Sequence, residues 1–161
     1  MAKYRFSLAE MDPGVLALLE ITPARVMAQW ARDCVLRVLP FYHAAFPDDQ
    51  RPGQALATLQ AWIETGEFSM KVIRKASLDA HAAARGVGED TPARSAARAA
   101  GQAVATAHVT RHALAAANYA LQAVYRSESD QAAEAAVAQE RAWQLKHLEQ
   151  LSVKQLGSSS R

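Results

Sequence analysis

His108 and His112, four residues apart, are the pair in this chain whose spacing best suits a metal ion or another ligand. In a helix, both imidazoles would lie on one side. The glutamate that follows the first histidine in a zinc-protease motif is missing here. Further metal ligands would have to come from His81, Asp79 or His147 on other helices. Histidines at this interval more often form hydrogen bonds across helix interfaces. We therefore name His81, His108 and His112 as candidate ligand-binding residues and predict no metal ion and no cofactor.

Catalytic chemistry has little support in the sequence. His81 follows Asp79 closely enough for a carboxylate to orient its ring, but a general base also needs a substrate pocket, which no motif indicates. No Ser or Cys has a recognisable base and orienting group, no carboxylates are paired, and no dinucleotide-binding fingerprint is present. We predict no catalytic residue, and a binding protein in preference to an enzyme.

Basic side chains cluster on two predicted helices, where they could attract phosphate or an acidic protein. The two groups are Lys71, Arg74, Lys75 and Arg85, and Arg94, Arg98 and Arg111. The chain as a whole is nearly balanced, with 18 Lys and Arg, 16 Asp and Glu, and a net charge of +2. No aromatic residues alternate with these charges, and no helix-turn-helix or RNA-binding motif occurs. We therefore expect no nucleic-acid partner.

Cys34 is the single cysteine, which excludes an internal disulfide. Its place in an apolar helical stripe predicts a buried and unreactive thiol. The first residues lack the apolar core and cleavage site of a secretion signal, and no apolar run approaches the about 20 residues that cross a bilayer. We predict a cytoplasmic protein with no membrane partner.

Helix boundaries, which must position these residues, are well marked. Asp12, Thr22 and Thr91 each precede a proline, so a capping side chain is combined with a residue suited to the first helical turn. Gly66 and Gly86 lie where helices would stop. Sparse β-branched residues argue against a sheet. The predicted helices are 12–20, 23–46, 52–65, 69–86, 92–126 and 129–152. They make an all-α, single-domain helical bundle of about six helices over residues 1–156, with a disordered tail at 157–161.

Two of the predicted helices are long. The helix at 23–46 has apolar residues at every fourth position, contains Pro40, which predicts a kink near 36–39, and could pair Asp33 with Arg37. The Ala-rich helix at 92–126 has small residues every three or four positions, which predicts a packing seam. A bend is expected at Gly101 or at 108–110. The same seam could also join copies of the chain into a homo-oligomer.

Several segments together resemble the immunity-protein-5-like family of bacterial immunity proteins. In the first half they are WARDC at 30–34, VLPF at 38–41, PDDQRP at 47–52 and AW at 61–62. In the second half they are AHAAAR at 80–85, ARAAG at 97–101, ATAH at 105–108, HA at 112–113 and ERAWQ at 140–144. The resemblance covers roughly residues 25–148, and the order and intervals of the segments carry it.

This resemblance implies an all-helical protein that binds and neutralises a toxin of a competing or sibling bacterium, and it supplies no catalytic set. We predict a cognate protein toxin as partner, blocked by occlusion, with the binding surface on the loops at 47–51, 85–90 and 126–130. The predicted partner-binding residues are Asp48, Asp49, Arg51, Arg85, Glu89 and Asp90. The alternative is a small helical enzyme or a metal- or ligand-binding domain centred on His81, His108 and His112.

Overall fold

The computed structural model describes residues 2–158, and all regular secondary structure in that range is α-helical. The helices are α1 (Pro13–Leu19), α2 (Ala24–Leu36), α3 (Leu39–Ala45), α4 (Arg51–Thr65), α5 (Met70–Gly86), α6 (Pro92–Ala105), α7 (His112–Ser127) and α8 (Ala133–Ser158). The all-α prediction is confirmed. The predicted count of about six is too low, since the described residues contain eight helices and both long predicted helices are divided.

The first division separates α2 from α3 at the position predicted for the kink. Pro40 is the second residue of α3, where its missing N–H needs no intrahelical acceptor. The backbone N–H of Val38 donates to the carbonyl of Val35 at 3.0 Å, and Phe41 donates to Val38 at 3.0 Å. These short-range bonds close a tight turn, so the chain begins a new helix here instead of bending within one.

The second division separates α6 from α7 at 106–111, so the bend predicted near 108–110 is confirmed. Thr106, Ala107 and His108 donate backbone hydrogen bonds to carbonyls three residues earlier, at 3.1, 3.3 and 3.0 Å. This tightening ends α6. Gly101, the other position considered for the bend, lies in regular helix.

The predicted helix caps are correct in part. Asp12 caps α1, because its carboxylate accepts from the backbone N–H groups of Gly14 and Val15. Gly66 ends α4 with φ +70°, a left-handed conformation that favours glycine. Thr22 and Thr91 were expected to cap α2 and α6, but neither side chain makes a capping bond.

The core is built around α6, which packs against α2, α3, α4, α5 and α7. All of its alanines except Ala105 are buried, and they lie on more than one side of the helix, because a methyl side chain lets neighbouring backbones approach closely. Large side chains fill the space between the surrounding helices: Met27, Trp30, Tyr42, Leu59 and Leu121. The predicted Ala packing seam is therefore occupied within the chain itself.

Helix α7 holds the segment that precedes α1. Asn118 donates from its amide to the carbonyls of Leu8 and Glu10 at 2.8 and 2.9 Å, and thereby fixes the segment before α1. Helix α8 continues to Ser158, so two residues of the predicted tail are helical, and residues 159–161 lie outside the described range. No helix among residues 2–158 is long and apolar enough to cross a membrane.

Candidate functional site

His81 lies at the crossing of α5 and α6, where its ring packs directly on Gly101. A Cβ at Gly101 would lie 2.7 Å from His81 Nε2, so glycine is needed for this approach. Ser77, one turn earlier, donates to the Gly101 carbonyl at 2.9 Å. Burial lowers the pKa of His81, and the nearby charges of Arg98 and Arg85 lower it further. The ring is therefore neutral near pH 7.

The two histidines of the four-residue pair face different surroundings. His112 lies 2.8 Å from Oε1 of Gln102 through its Nδ1, and burial, followed by the charge of His108, lowers its pKa. His108 is exposed and stacks on Phe68, with ring centroids 6.4 Å apart. The loop that ends α6 separates them, so they do not share one helical face.

A groove of about 330 Å³ lies between α5 and α6, and it is the cavity nearest to the predicted histidine cluster. His108 lines it together with Arg74 and Leu78, whereas His81 and His112 are not among its lining residues. In the described part of the chain, no group of three or more His, Cys, Asp or Glu side chains could hold a metal ion. The structure thus places the three histidines near one another without converging them on one cavity.

The other candidate ligands lie elsewhere or are already paired. Asp79 forms an ion pair with Lys75 on the same helix. His147 approaches Asp33 across the α2–α8 interface, with 2.7 Å between Nε2 and Oδ2.

The loop at 47–51 is held in place by Asp49. Its carboxylate accepts from the hydroxyl of the buried Tyr42 at 2.6 Å and from Arg51 Nη2 at 2.6 Å. The Arg51 guanidinium holds the pKa of Asp49 well below its usual range, and burial together with this bond raises the pKa of Tyr42. Asp48 is exposed and forms no side-chain hydrogen bond or ion pair within residues 2–158. Asp49 and Arg51 therefore shape the loop, while the Asp48 side chain is exposed to solvent.

The loop predicted at 85–90 is shorter in the structure, because Arg85 and Gly86 are the last residues of α5; residues 87–90 form the loop, and Asp90 anchors it. Its carboxylate lies 3.3 Å from Arg94 and 3.3 Å from Arg126, and Arg126 also donates to the buried Ser95 hydroxyl at 2.9 Å. Burial lowers the pKa of Arg126, which Asp90 opposes. Arg85 and Glu89 are exposed and unpaired among the described residues.

Sequence reasoning missed a polar and aromatic stack between α2 and α8. The predicted Asp33–Arg37 pair is wrong, because both side chains turn towards α8. Arg37 binds Glu140 with two bonds of 2.6 and 2.9 Å, and its guanidinium lies 3.9 Å from the ring centroid of Trp143. Trp143 stacks on His147 at 4.8 Å. The spacing of residues 140, 143 and 147 places them on one face of α8. This spacing was the signal in the sequence from which the stack could have been predicted.

Sequence reasoning also missed an exposed apolar surface at the start of α5. Phe68, Met70, Val72 and Leu78 are between 41 and 53% exposed. Their side chains flank Ile73, which is buried against the core. The sequence contained a signal for this surface. The apolar residues at 70, 72 and 78 do not lie on the helix face that Ile73, Ala80 and Ala84 define as buried.

The helical bundle, its small-residue core and its anchored loops define an all-α protein whose candidate sites in the described residues are surfaces and open grooves. A family model matches residues 17–151, and the chain belongs to that family, described as Imm-5 like putative immunity protein. The resemblance identified from the sequence is thereby confirmed. No curated protein and no solved structure gives a significant match.

Proposed function

We propose that this protein is a bacterial immunity protein that binds a protein toxin and neutralises it by occlusion, in the cytoplasm of the cell that it protects. Membership of the immunity-protein family over residues 17–151 carries the proposal. Occlusion needs a firm surface of about 800 Å² per partner, and a helical domain can supply one. Three predicted partner-binding residues are unpaired among residues 2–158 and are available for such contacts: Asp48 and Glu89 in loops, and Arg85 at the end of α5.

The reactive side chains of the chain support binding in preference to catalysis. Cys34 is buried, and burial raises the pKa of its thiol, so the nucleophilic thiolate is disfavoured. His81 and His112 have pKa values lowered chiefly by burial, and both pack against neighbouring side chains or backbone. Inhibition by occlusion requires none of these groups to react.

A ligand-binding domain or small enzyme centred on the three histidines is the alternative. One observation favours it, because Nδ1 of His81 is buried without a hydrogen-bond partner in the described residues. However, the groove beside His108 is open and is not lined by His81 or His112. A small molecule in that groove would touch one histidine of the three, so the inhibitor proposal has the stronger support.

The decisive experiment starts with the tagged chain, recovered from the cells that produce it, and mass spectrometry of the retained proteins. The toxin domain identified in this way is then produced alone and titrated with the purified chain. We expect loss of toxin activity at one-to-one stoichiometry, with an unchanged toxin mass. The toxin should regain activity after denaturing separation and refolding. Inactivation by substoichiometric amounts, or an altered toxin mass, would contradict occlusion.

A double variant, His108→Gln with His112→Gln, separates the inhibitor from the histidine-centred alternative. An inhibitor should retain one-to-one inhibition and lose some thermal stability, because His112 gives up its bond to Gln102. Native mass spectrometry of the wild-type chain and of the variant shows whether either carries a bound small ligand. A ligand that is bound by the wild-type chain and lost from the variant would favour the alternative.

A further inference from the structure

Exposed apolar side chains are concentrated beside one helix. Of the ten large hydrophobic residues that are exposed in the described chain, four lie between positions 68 and 78, on α5 or just before it. We use the name α5 face for the exposed side chains at the start of this helix: Phe68, Met70, Lys71, Val72, Arg74 and Leu78. Apolar groups gathered in this way typically mark an interaction surface.

The same helix carries the basic excess of the whole chain. Helix α5 contains four Lys and Arg residues and one Asp, whereas the complete chain has a net charge of only +2. Lys75 is neutralised by Asp79. Lys71 and Arg74 are exposed and form no ion pair within residues 2–158. The α5 face therefore combines apolar contact area with two unpaired positive charges.

Grooves on both sides make the start of α5 a ridge. One groove, of about 470 Å³, lies towards α4 and is lined by Trp62, Phe68 and Val72 among others. The other, of about 330 Å³, lies towards α6 and is lined by Met70, Arg74 and neighbouring residues. Trp and Arg are the residue types that most often dominate binding energy, and grooves let a partner's side chains enter beside them.

The geometry points to the α5 face as the docking surface for an acidic patch on a protein, namely the toxin domain of the proposed function, on which this inference rests. Carboxylates of the partner pair with Lys71 and Arg74. Apolar side chains of the partner fill the two grooves and cover Phe68 and Leu78. The positive charges guide association and orient the complex, and the apolar contacts supply most of its affinity.

Charge argues against two other occupants. A second copy of this chain in a two-fold dimer would place the same patch against itself, so Lys71 and Arg74 would meet like charges. A nucleic-acid duplex would neutralise the charges, but its phosphate backbone offers no apolar surface to Val72 or Leu78. An acidic protein with apolar side chains at its contact surface satisfies both parts of the face.

The first test reverses the charges with Lys71→Glu and Arg74→Glu together. The matched control is Lys146→Glu with Lys154→Glu on α8, which makes the same change in net charge at exposed positions. Binding of the purified toxin domain is measured by calorimetry at about 0.05 and 0.3 M salt, where screening differs strongly. The α5 variant should bind about tenfold or more weakly, with a reduced salt dependence, while the control stays within about twofold of wild type.

The second test removes apolar contacts with Phe68→Ser and Leu78→Ser, against Ile21→Ser and Val153→Ser as an exposed apolar control. The α5 variant should lose affinity mainly through faster dissociation, because apolar anchors act after association. Circular dichroism and thermal melting of all four double variants show that each is folded. These positions are exposed, so folding should be retained.

The outcomes separate the surface from the function. Weak binding by both α5 variants and normal binding by both controls supports the α5 face. Wild-type affinity in the α5 variants overturns it and leaves toxin inhibition standing. Absence of any complex between the wild-type chain and the purified toxin domain refutes the function and the surface together. Two results would replace the acidic partner by another occupant: concentration-dependent dimers in sedimentation, or binding of a fluorescent 20-base-pair duplex at about 0.15 M salt. In either case the charge reversal would have to abolish the interaction.

Discussion

Replacing Gly101 by Ala tests the packing between α5 and α6 at its closest point. A Cβ at this position would lie 2.7, 2.8 and 2.9 Å from Nε2, Cε1 and Cδ2 of His81. Three ring atoms are too close at once, so rotation of the ring about its own axis does not relieve the contact. Nδ1 of the same ring is buried and has no hydrogen-bond partner among the described residues. The His81 side chain must therefore shift away from Gly101.

The expected magnitude follows from two opposing terms. Gly to Ala within a helix gains about 1 kcal/mol, because Ala loses less backbone entropy on folding. Overpacking of a close contact costs about 1–3 kcal/mol. The contact at Gly101 involves the whole ring edge, so we expect the upper part of that range and a net loss of about 1–2 kcal/mol. For a protein of this size, that corresponds to a melting temperature lower by about 2–8 °C.

Urea and thermal unfolding of a double-mutant cycle provide the assay. In a His81→Ala background the ring is absent, so Gly101→Ala should become stabilising by up to about 1 kcal/mol. Gly86→Ala is the control, because Gly86 is helical and a Cβ added there would meet no atom within 4 Å, so this change should be neutral or slightly stabilising. A Gly101→Ala protein as stable as Gly86→Ala, with no coupling to His81, would refute the reasoning.

Three further perturbations have defined outcomes. His81 and His112 have lowered pKa values in the folded state, so the unfolded chain binds protons first as pH falls below about 6.5. Denaturation experiments between pH 7 and 5 should therefore show that the free energy of unfolding decreases as the pH decreases. This decrease should be smaller in a variant that combines His81→Gln with His112→Gln. Tyr42→Phe removes a 2.6 Å bond to a carboxylate and should cost about 1–2 kcal/mol in urea unfolding; an unchanged midpoint would contradict that bond. Glu140→Gln should cost about 1–2 kcal/mol, less in an Arg37→Gln background, and additive effects would show that the pair contributes nothing.

Most of the fold could be predicted from the sequence because its signals are local. Proline at the second position of α3 marked the turn between α2 and α3, and the Ala pattern of α6 marked the buried centre. The division of the long helices was harder to place. Thr106 to Arg111 contain no proline or glycine, so the end of α6 depends on tertiary packing that no local pattern encodes. Gly101 was ambiguous because glycine serves both bends and close contacts.

The candidate sites could be predicted less well because they depend on pairs that are distant in sequence. Asp33 and Arg37 have the spacing of a helical pair, yet α8 lies against them and offers His147 and Glu140 with better geometry. The Asp49 carboxylate accepts hydrogen bonds from both the buried Tyr42 and the exposed Arg51, and sequence spacing alone could not show this. A charged residue in a loop can thus be a structural anchor, and the sequence does not distinguish the two roles.

The two halves of α5 differ in what they contact, and this difference links the fold to the proposed partner surface. Its second half packs on α6 through Ala80, Ala83, Ala84 and His81 over Gly101, so small residues satisfy the core there. Its first half contributes Ile73 to that core, whereas Met70, Val72 and Leu78 remain 41 to 53% exposed. Exposed apolar side chains lower solubility, and the adjacent Lys71 and Arg74 offset that effect by keeping the surface charged. Core packing therefore does not account for this composition, and the proposed acidic protein partner would cover these side chains.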